Sequence, residues 1–305
     1  MKLRVLLLLL LFPILATSAT AAPTIKLPVK MVGLKVSTTI TLTSDPNDEI
    51  DAITLTPSLV VLAGTSARAG FISAYDRTGS SMLWNTKLGG PEESIATALI
   101  RDSRGNFWVA GASTTSTVSP PPPTIPPGTL NPAGVQQETS TALASLSQLD
   151  MWEISTKGAL LNTFSVDLTR PILPQNLSIK GEKITIEGAI GPNDNEHFAI
   201  TSSFSGHFGL PRILSTVDSG QGHVKEVKTS LSTWRSFTTS TAIKGLPSWK
   251  PKPNSHVLAR YDLKTKALIS AFLAPGEIVD FAWEKSVGVI ALVATPNGYG
   301  LGIIK

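Results

Sequence analysis

The chain has 305 residues, no cysteine, 42% hydrophobic side chains and a formal net charge of +4. The missing cysteines exclude disulfides, a thiolate metal site, a thioether-linked haem and a lipidated N-terminal cysteine, so stability must come from a core that a chain of this length is ample to build. The charges nearly balance and form no basic run along the sequence, which points away from nucleic acid as a partner.

The N-terminus carries Lys2 and Arg4, an apolar run from Val5 to Leu11, Pro13, and a small-residue stretch from Ala16 to Ala22. This order reads as a signal peptide over residues 1–21, cut after Ala19-Thr20-Ala21, with residues 22–305 as the mature domain. The apolar stretch is too short to span a bilayer, and no later segment is long enough, so the expectation is an exported chain with no membrane span. Export without disulfides fits a bacterial envelope or medium.

Beyond the leader, sustained helical spacing is absent. Short runs rich in Val, Ile, Thr, Phe and Trp recur between Gly, Pro, Asn, Asp and Ser, among them Leu59 to Ala63, Phe107 to Ala110, Ile184 to Ile186 and Val287 to Val293. Ile53 followed by Val61-Leu62-Ala63-Gly64-Thr65-Ser66 is echoed by Ile100 followed by Trp108-Val109-Ala110-Gly111-Ala112-Ser113. That offset is the length of one four-stranded propeller blade.

These features predict an all-β chain folded as a single β-propeller of about five four-stranded blades. The blades are expected at Glu49 to Gly89, Glu93 to Leu168, Arg170 to Thr216, His223 to Ala274 and Glu277 to Lys305. The last lacks an outer strand, which Val36 to Leu42 can supply, closing the ring. The Ser/Thr/Pro-rich stretch 113–141, with Pro120 to Pro123, reads as a polyproline-like or disordered insertion in the second blade. Leu246 to Pro253 reads as a smaller loop of the same kind.

Gly70 to Ser113 contains Ala74-Tyr75-Asp76-Arg77-Thr78-Gly79, Leu83-Trp84, Leu88-Gly89-Gly90 and Asp102-Ser103-Arg104-Gly105-Asn106-Phe107-Trp108-Val109-Ala110-Gly111. This segment resembles the bacterial SBBP-type β-propeller repeat, a resemblance that implies fold and says little of function. Ala74 to Gly79 followed by Leu83-Trp84 also resembles the tryptophan-docking blade of pyrroloquinoline-quinone dehydrogenases, in which such residues join neighbouring blades. The vicinal disulfide common in those enzymes is impossible here.

No motif compels a reaction. His197, His207, His223 and His256 lack paired-ligand spacing, and no Gly-x-Ser-x-Gly elbow is present. Asp45, Asp48, Glu49 and Asp51 form the densest acidic cluster, a candidate calcium loop that lacks the EF-hand glycine and glutamate and reads first as a solvated corner. No cofactor is expected, calcium being the alternative. Trp84, Trp108, Trp152 and Trp283 fall in expected strands, while Trp234 and Trp249 lie in loop-like context and are the candidate contacts for a protein or glycan partner. The reading is an exported, non-catalytic binding or scaffolding propeller. The alternative, an enzyme acting on glycans or a quinone-dependent dehydrogenase, would need carboxylates converging on the axis, with Glu49, Asp51, Glu93 and Asp280 nearest to expected inner strands.

Overall fold

The computed structural model describes residues 28–40, 48–90, 93–114, 146–191, 196–216, 225–296 and 298–304. The described residues form strands and turns, arranged as five antiparallel blades. Blade 1 comprises β3 (Glu49–Leu55), β4 (Leu59–Ser66), β5 (Ala69–Asp76) and β6 (Met82–Leu88). Blade 2 comprises β7 (Ser94–Arg101), β8 (Phe107–Ser113), β9 (Gln148–Ile154) and β10 (Leu160–Asp167). Blade 3 comprises β11 (Ile172–Lys180), β12 (Lys183–Ile190), β13 (Glu196–Ser203) and β14 (Arg212–Thr216). Blade 4 comprises β15 (Lys225–Lys228), β16 (Ser232–Thr239), β17 (Ser255–Asp262) and β18 (Leu268–Leu273).

Blade 5 takes β19 (Ile278–Glu284), β20 (Gly288–Thr295) and β21 (Gly298–Ile304) from the end of the chain and β2 (Val36–Ile40) from its beginning. Ring closure by this N-terminal strand matches the expectation, with Val36 opposite Gly302 and Ile40 opposite Tyr299. A short β1 (Met31–Gly33), unforeseen in the sequence, adds to blade 4 in parallel register with β18. It lies there because Leu34 is buried among Trp234, Leu258 and Phe281 and its amide donates to Leu273 O. The insertion joins β8 to β9. Its described ends are Thr114 and Leu146, and residues 115–145 lie outside the described residues.

Four apolar clusters fill the seams between blades 1 and 2, 2 and 3, 4 and 5, and 5 and 1. Blade 4 differs on the side away from blade 5. There Leu246, Ile243 and Trp249 from the β16–β17 loop fold over Val257, Ala259 and Ala271. The prolines of that loop deny it a ladder, yet its apolar residues give it a core of its own.

Aromatic rings dock blades onto one another. Trp84 of β6 lies on Gly158 in the β9–β10 turn of blade 2, where an added Cβ would come within 2.6–2.9 Å of the indole. Thr86 Oγ1 donates to Gly158 O at 2.5 Å. Phe164 of β10 lies in the same way on Gly206 in the turn of blade 3. Both glycines have positive φ, 84° and 80°, so a side chain is excluded by space and by backbone at once.

The Ala-Gly repeat has a specific cause. In blades 1, 2 and 3 the inner strand bulges where Asp51, Thr97 and Gln175 are the extra residues. Each bulge presses a carbonyl two residues upstream, that of Glu49, Ile95 or Leu173, against Gly64, Gly111 or Gly188 of the second strand. In blade 5 the bulge falls at Val279, and there the roles are reversed, with Gly276 just before the inner strand approaching Ala294 O of the second strand. Gly111→Ala is expected to cost about 1–3 kcal/mol, because its Cβ would overlap Ile95 O and meet the Trp152 ring at 2.9 Å. Thermal melting checks this, and an unchanged melting temperature would deny the close approach.

Candidate functional site

The bulges determine what lines the axis. The extra residue rotates the strand so that paired positions from successive blades face the centre: Asp51 with Ala52, Thr97 with Ala98, Gln175 with Asn176, and Val279 with Asp280. Blade 4, whose first strand pairs with its second without a register shift, contributes Lys225. The resulting channel segment has a volume of about 40 Å³, room for a few waters but far below the roughly 300–1,000 Å³ of small-molecule sites.

Asp280 is the hub. It is 4% exposed and pairs through Oδ1 with Lys225 Nζ of blade 4. Its Oδ2 accepts the Ile53 amide of blade 1 at 2.9 Å, and its Oδ1 accepts the Phe281 amide at 2.7 Å. One carboxylate thus joins blades 4, 5 and 1 across the ring closure. On the opposite side Thr97 Oγ1 donates to Pro174 O at 2.5 Å, joining blades 2 and 3.

Among the described residues Asp51 has no such partner. Burial, then the negative charges of Glu49 and Asp280, push its carboxyl up to about 7. A carboxyl titrating near neutrality beside a second carboxylate is the raw material of acid–base chemistry. Here, however, Asp280 is already engaged by three donors, and the space beside the pair holds no sugar ring.

Of the four expected axial carboxylates, the structure therefore brings Asp51 and Asp280 together. Glu49 stays exposed at the start of β3, near enough to act on Asp51 by charge. Glu93 lies away from the axis in an ion pair with Arg68, 2.8 Å. The acidic cluster is dispersed as well: Asp48 accepts the Ala67 amide at 2.8 Å, Asp51 faces the channel, and Asp45 lies outside the described residues. Among the described residues no group of three His, Cys, Asp or Glu side chains could hold a metal ion. Of the histidines, His207 and His256 hydrogen-bond to Ser205 and Thr238, and His223 lies outside the described residues.

One expectation about tryptophan is corrected. Trp234 is in β16, not a loop, and is 5% exposed, stacked 6.2 Å from Phe272 with the Arg260 guanidinium 5.7 Å from its ring. Its strand escaped notice because Trp234 and Phe237, its two apolar residues, stand three apart and so show no alternation. Trp249 is in a loop but half-buried against blade 4. Asp102, at the head of the turn read from the repeat, accepts the amides of Arg104 and Asn106 and the indole N–H of Trp108. Burial would raise its carboxyl, but the bonds from Trp108 and Arg104 and the Arg104 charge outweigh it and hold the group low.

The larger cavity escaped sequence reading altogether. It is a groove of about 480 Å³ along β5 and β6 of blade 1, on the face toward blade 5. Phe71, Ser73 and Tyr75 pair across strands with Lys87, Asn85 and Met82, so alternate residues of two strands make one lining. The Ser73 hydroxyl is buried there without a hydrogen-bond partner among the described residues, an uncommon state for a native polar group. Alternation along β5 is masked because both of its faces are apolar or small, which hides which one is open.

No family model matches the chain, and no curated protein does. Among solved structures it is similar to the exo-β-1,3-galactanase from Phanerochaete chrysosporium, with 7% identity, a TM-score of 0.43, and 88% of this chain and 62% of that one covered. It is similar also to Kuenenia stuttgartiensis hydrazine synthase, with 9% identity, a TM-score of 0.39, and 88% and 99% covered. For the Dos1 propeller the values are 9%, 0.35, and 85% and 58%. At these identities and scores no residue and no activity is carried across.

Proposed function

We propose that this chain is an exported, non-catalytic β-propeller built from SBBP-type repeats, which binds a protein or glycan at the cell surface or outside the cell. The observation that carries the binding role is the groove on blade 1, about 480 Å³ against about 40 Å³ for the channel. It offers aromatic surface from Phe71 and Tyr75, hydrogen-bonding groups from Asn85 and Ser73, and a cation at Lys87. Export rests on the charged, apolar and small-residue order of the first 21 residues.

The test is retention of the purified chain on isolated cell envelopes. Asn85→Ala combined with Lys87→Ala is expected to lower retention about tenfold, since two exposed contacts of hot-spot quality are lost, and Asp51→Asn is expected to leave it unchanged. A glycan-cleaving activity in the wild type that vanishes in Asp51→Asn, with the groove variant fully active, would overturn the reading in favour of an enzyme.

A further inference from the structure

The groove on blade 1 lies where the apolar seam between blades 5 and 1 runs out. Phe71 and Tyr75 pack against that seam and also line the groove, with Ser73 between them. Alternation along β5 sets these side chains on one face, successive ones about 6.7 Å apart. Across from them β6 presents Lys87, Asn85 and Met82. Met82 reaches this face because Leu83 is an extra residue at the register shift of β6, which turns the strand by one position. The lining therefore has an order along its length. One end carries an ammonium beside an aromatic ring, the middle a hydroxyl opposite a primary amide, and the other end a phenol beside a thioether.

The middle of this lining is unfinished. Ser73 is 2% exposed, and its hydroxyl has no hydrogen-bond partner among the described residues. A buried hydroxyl left unpaired destabilises the fold, so packing alone does not explain a serine here. Asn85 and Lys87 are exposed, and among the described residues neither side chain enters a hydrogen bond or an ion pair. Lys87 is the cation of the lining, and no carboxylate joins it. Asp48, at the hairpin end, accepts the Ala67 amide and is not part of the lining.

From this order we propose that the groove holds an acidic oligosaccharide, whose rings carry the carboxylate of a hexuronic acid. The inference rests on the groove being the binding surface and names the class of its ligand. A sugar ring offers hydroxyls to Ser73 and Asn85 and aliphatic C–H faces to Phe71 and Tyr75. Its carboxylate matches the Lys87 ammonium in a charge-assisted hydrogen bond. The Ser73 hydroxyl is closed to water, so the ligand meets it as the exposed Asn85 side chain opposite turns aside. A phosphate- or sulfate-rich polyanion would call for more cations than this lining supplies. A peptide strand would add by main-chain bonds along the outer edge of β6, whereas the groove lies on the face of the sheet. The volume of about 480 Å³ falls within the range of small-molecule sites and accommodates a short oligosaccharide.

The experiment is isothermal titration calorimetry of the full chain with the trisaccharides of galacturonate and of mannuronate, each against its neutral hexose counterpart. A uronate trimer is expected to bind at least about tenfold tighter than its neutral counterpart, the margin of one charge-assisted hydrogen bond. Lys87→Met is expected to abolish that margin. Ser73→Ala is expected to weaken the same uronate about threefold to tenfold. Its melting temperature is expected to stay equal or to rise, since an unpaired buried hydroxyl is removed. Binding of neither uronate, equal affinity for uronate and neutral trimers, or full uronate binding by Lys87→Met would overturn the proposal. Retention on envelopes separates the ligand class from the groove itself. If Asn85→Ala with Lys87→Ala lowers retention while no uronate trimer binds, the groove stands and the ligand class falls. If that variant is retained in full, the groove reading falls and the ligand class with it.

Discussion

Asp280→Ala is expected to lower the stability of the ring by about 3 kcal/mol, read from denaturant midpoints at neutral pH. The substitution leaves the Ile53 and Phe281 amides without their acceptor and Lys225 without its partner. Breaking a buried pair from one side typically costs about 3–5 kcal/mol, because the surviving charge stays desolvated. The low end applies because Lys225 keeps 29% side-chain exposure and can turn in part to Asp51 across the channel. The loss falls where the first blade meets the last, so the unfolding transition is also expected to broaden as blade 5 separates before the rest. A midpoint unchanged within error would mean that the apolar seam between blades 5 and 1 closes the ring without help.

The second large effect depends on pH. The Asp51 carboxyl is raised to about 7 in the folded ring, mainly by burial and then by Glu49 and Asp280, against an ordinary value of 3.8. Below pH 4 it is protonated in both states and contributes nothing. Between 4 and 7 the folded state holds a proton that the unfolded state has released, so stability falls as pH rises through that window. Above 7 the whole cost is present, about 2–4 kcal/mol once the remaining contact of Asp51 with solvent is allowed for. Asp51→Asn removes the charge and keeps the shape. It is expected to match the wild type near pH 4 and to exceed it by that amount at pH 8, in denaturant titrations across the range. Parallel curves for the two proteins would show that the Lys225 charge already neutralises Asp51.

Much of this architecture was legible before any coordinates. The five blade boundaries, and the return of Val36 to Ile40 to complete the last blade, followed from alternating apolar runs, the Ala-Gly echo and the need to hide sheet edges. The Ala-Gly echo also carried information that only geometry could decode. Gly64 and Gly111 are there for the bulges that turn Asp51 and Thr97 inward, and bulges leave no periodic trace. Thus Asp51 and Asp280 could be named as axial candidates, while the third partner, Lys225, could not, because it opens a four-residue strand too short to show alternation.

Trp234 was misplaced because Phe237, the other apolar residue of β16, stands three residues on, so the strand shows no alternation and looked like a loop.

The measurement closest to the centre of this account is a double-mutant cycle on the closure pair, with Asp280→Asn and Lys225→Met made singly and together. If the channel is a lock between blades 4, 5 and 1, the double variant will be less destabilised than the sum of the singles by about 1–3 kcal/mol. Additive effects within about 0.5 kcal/mol would show that the two side chains do not depend on each other, and the channel would no longer explain how the ring is held closed.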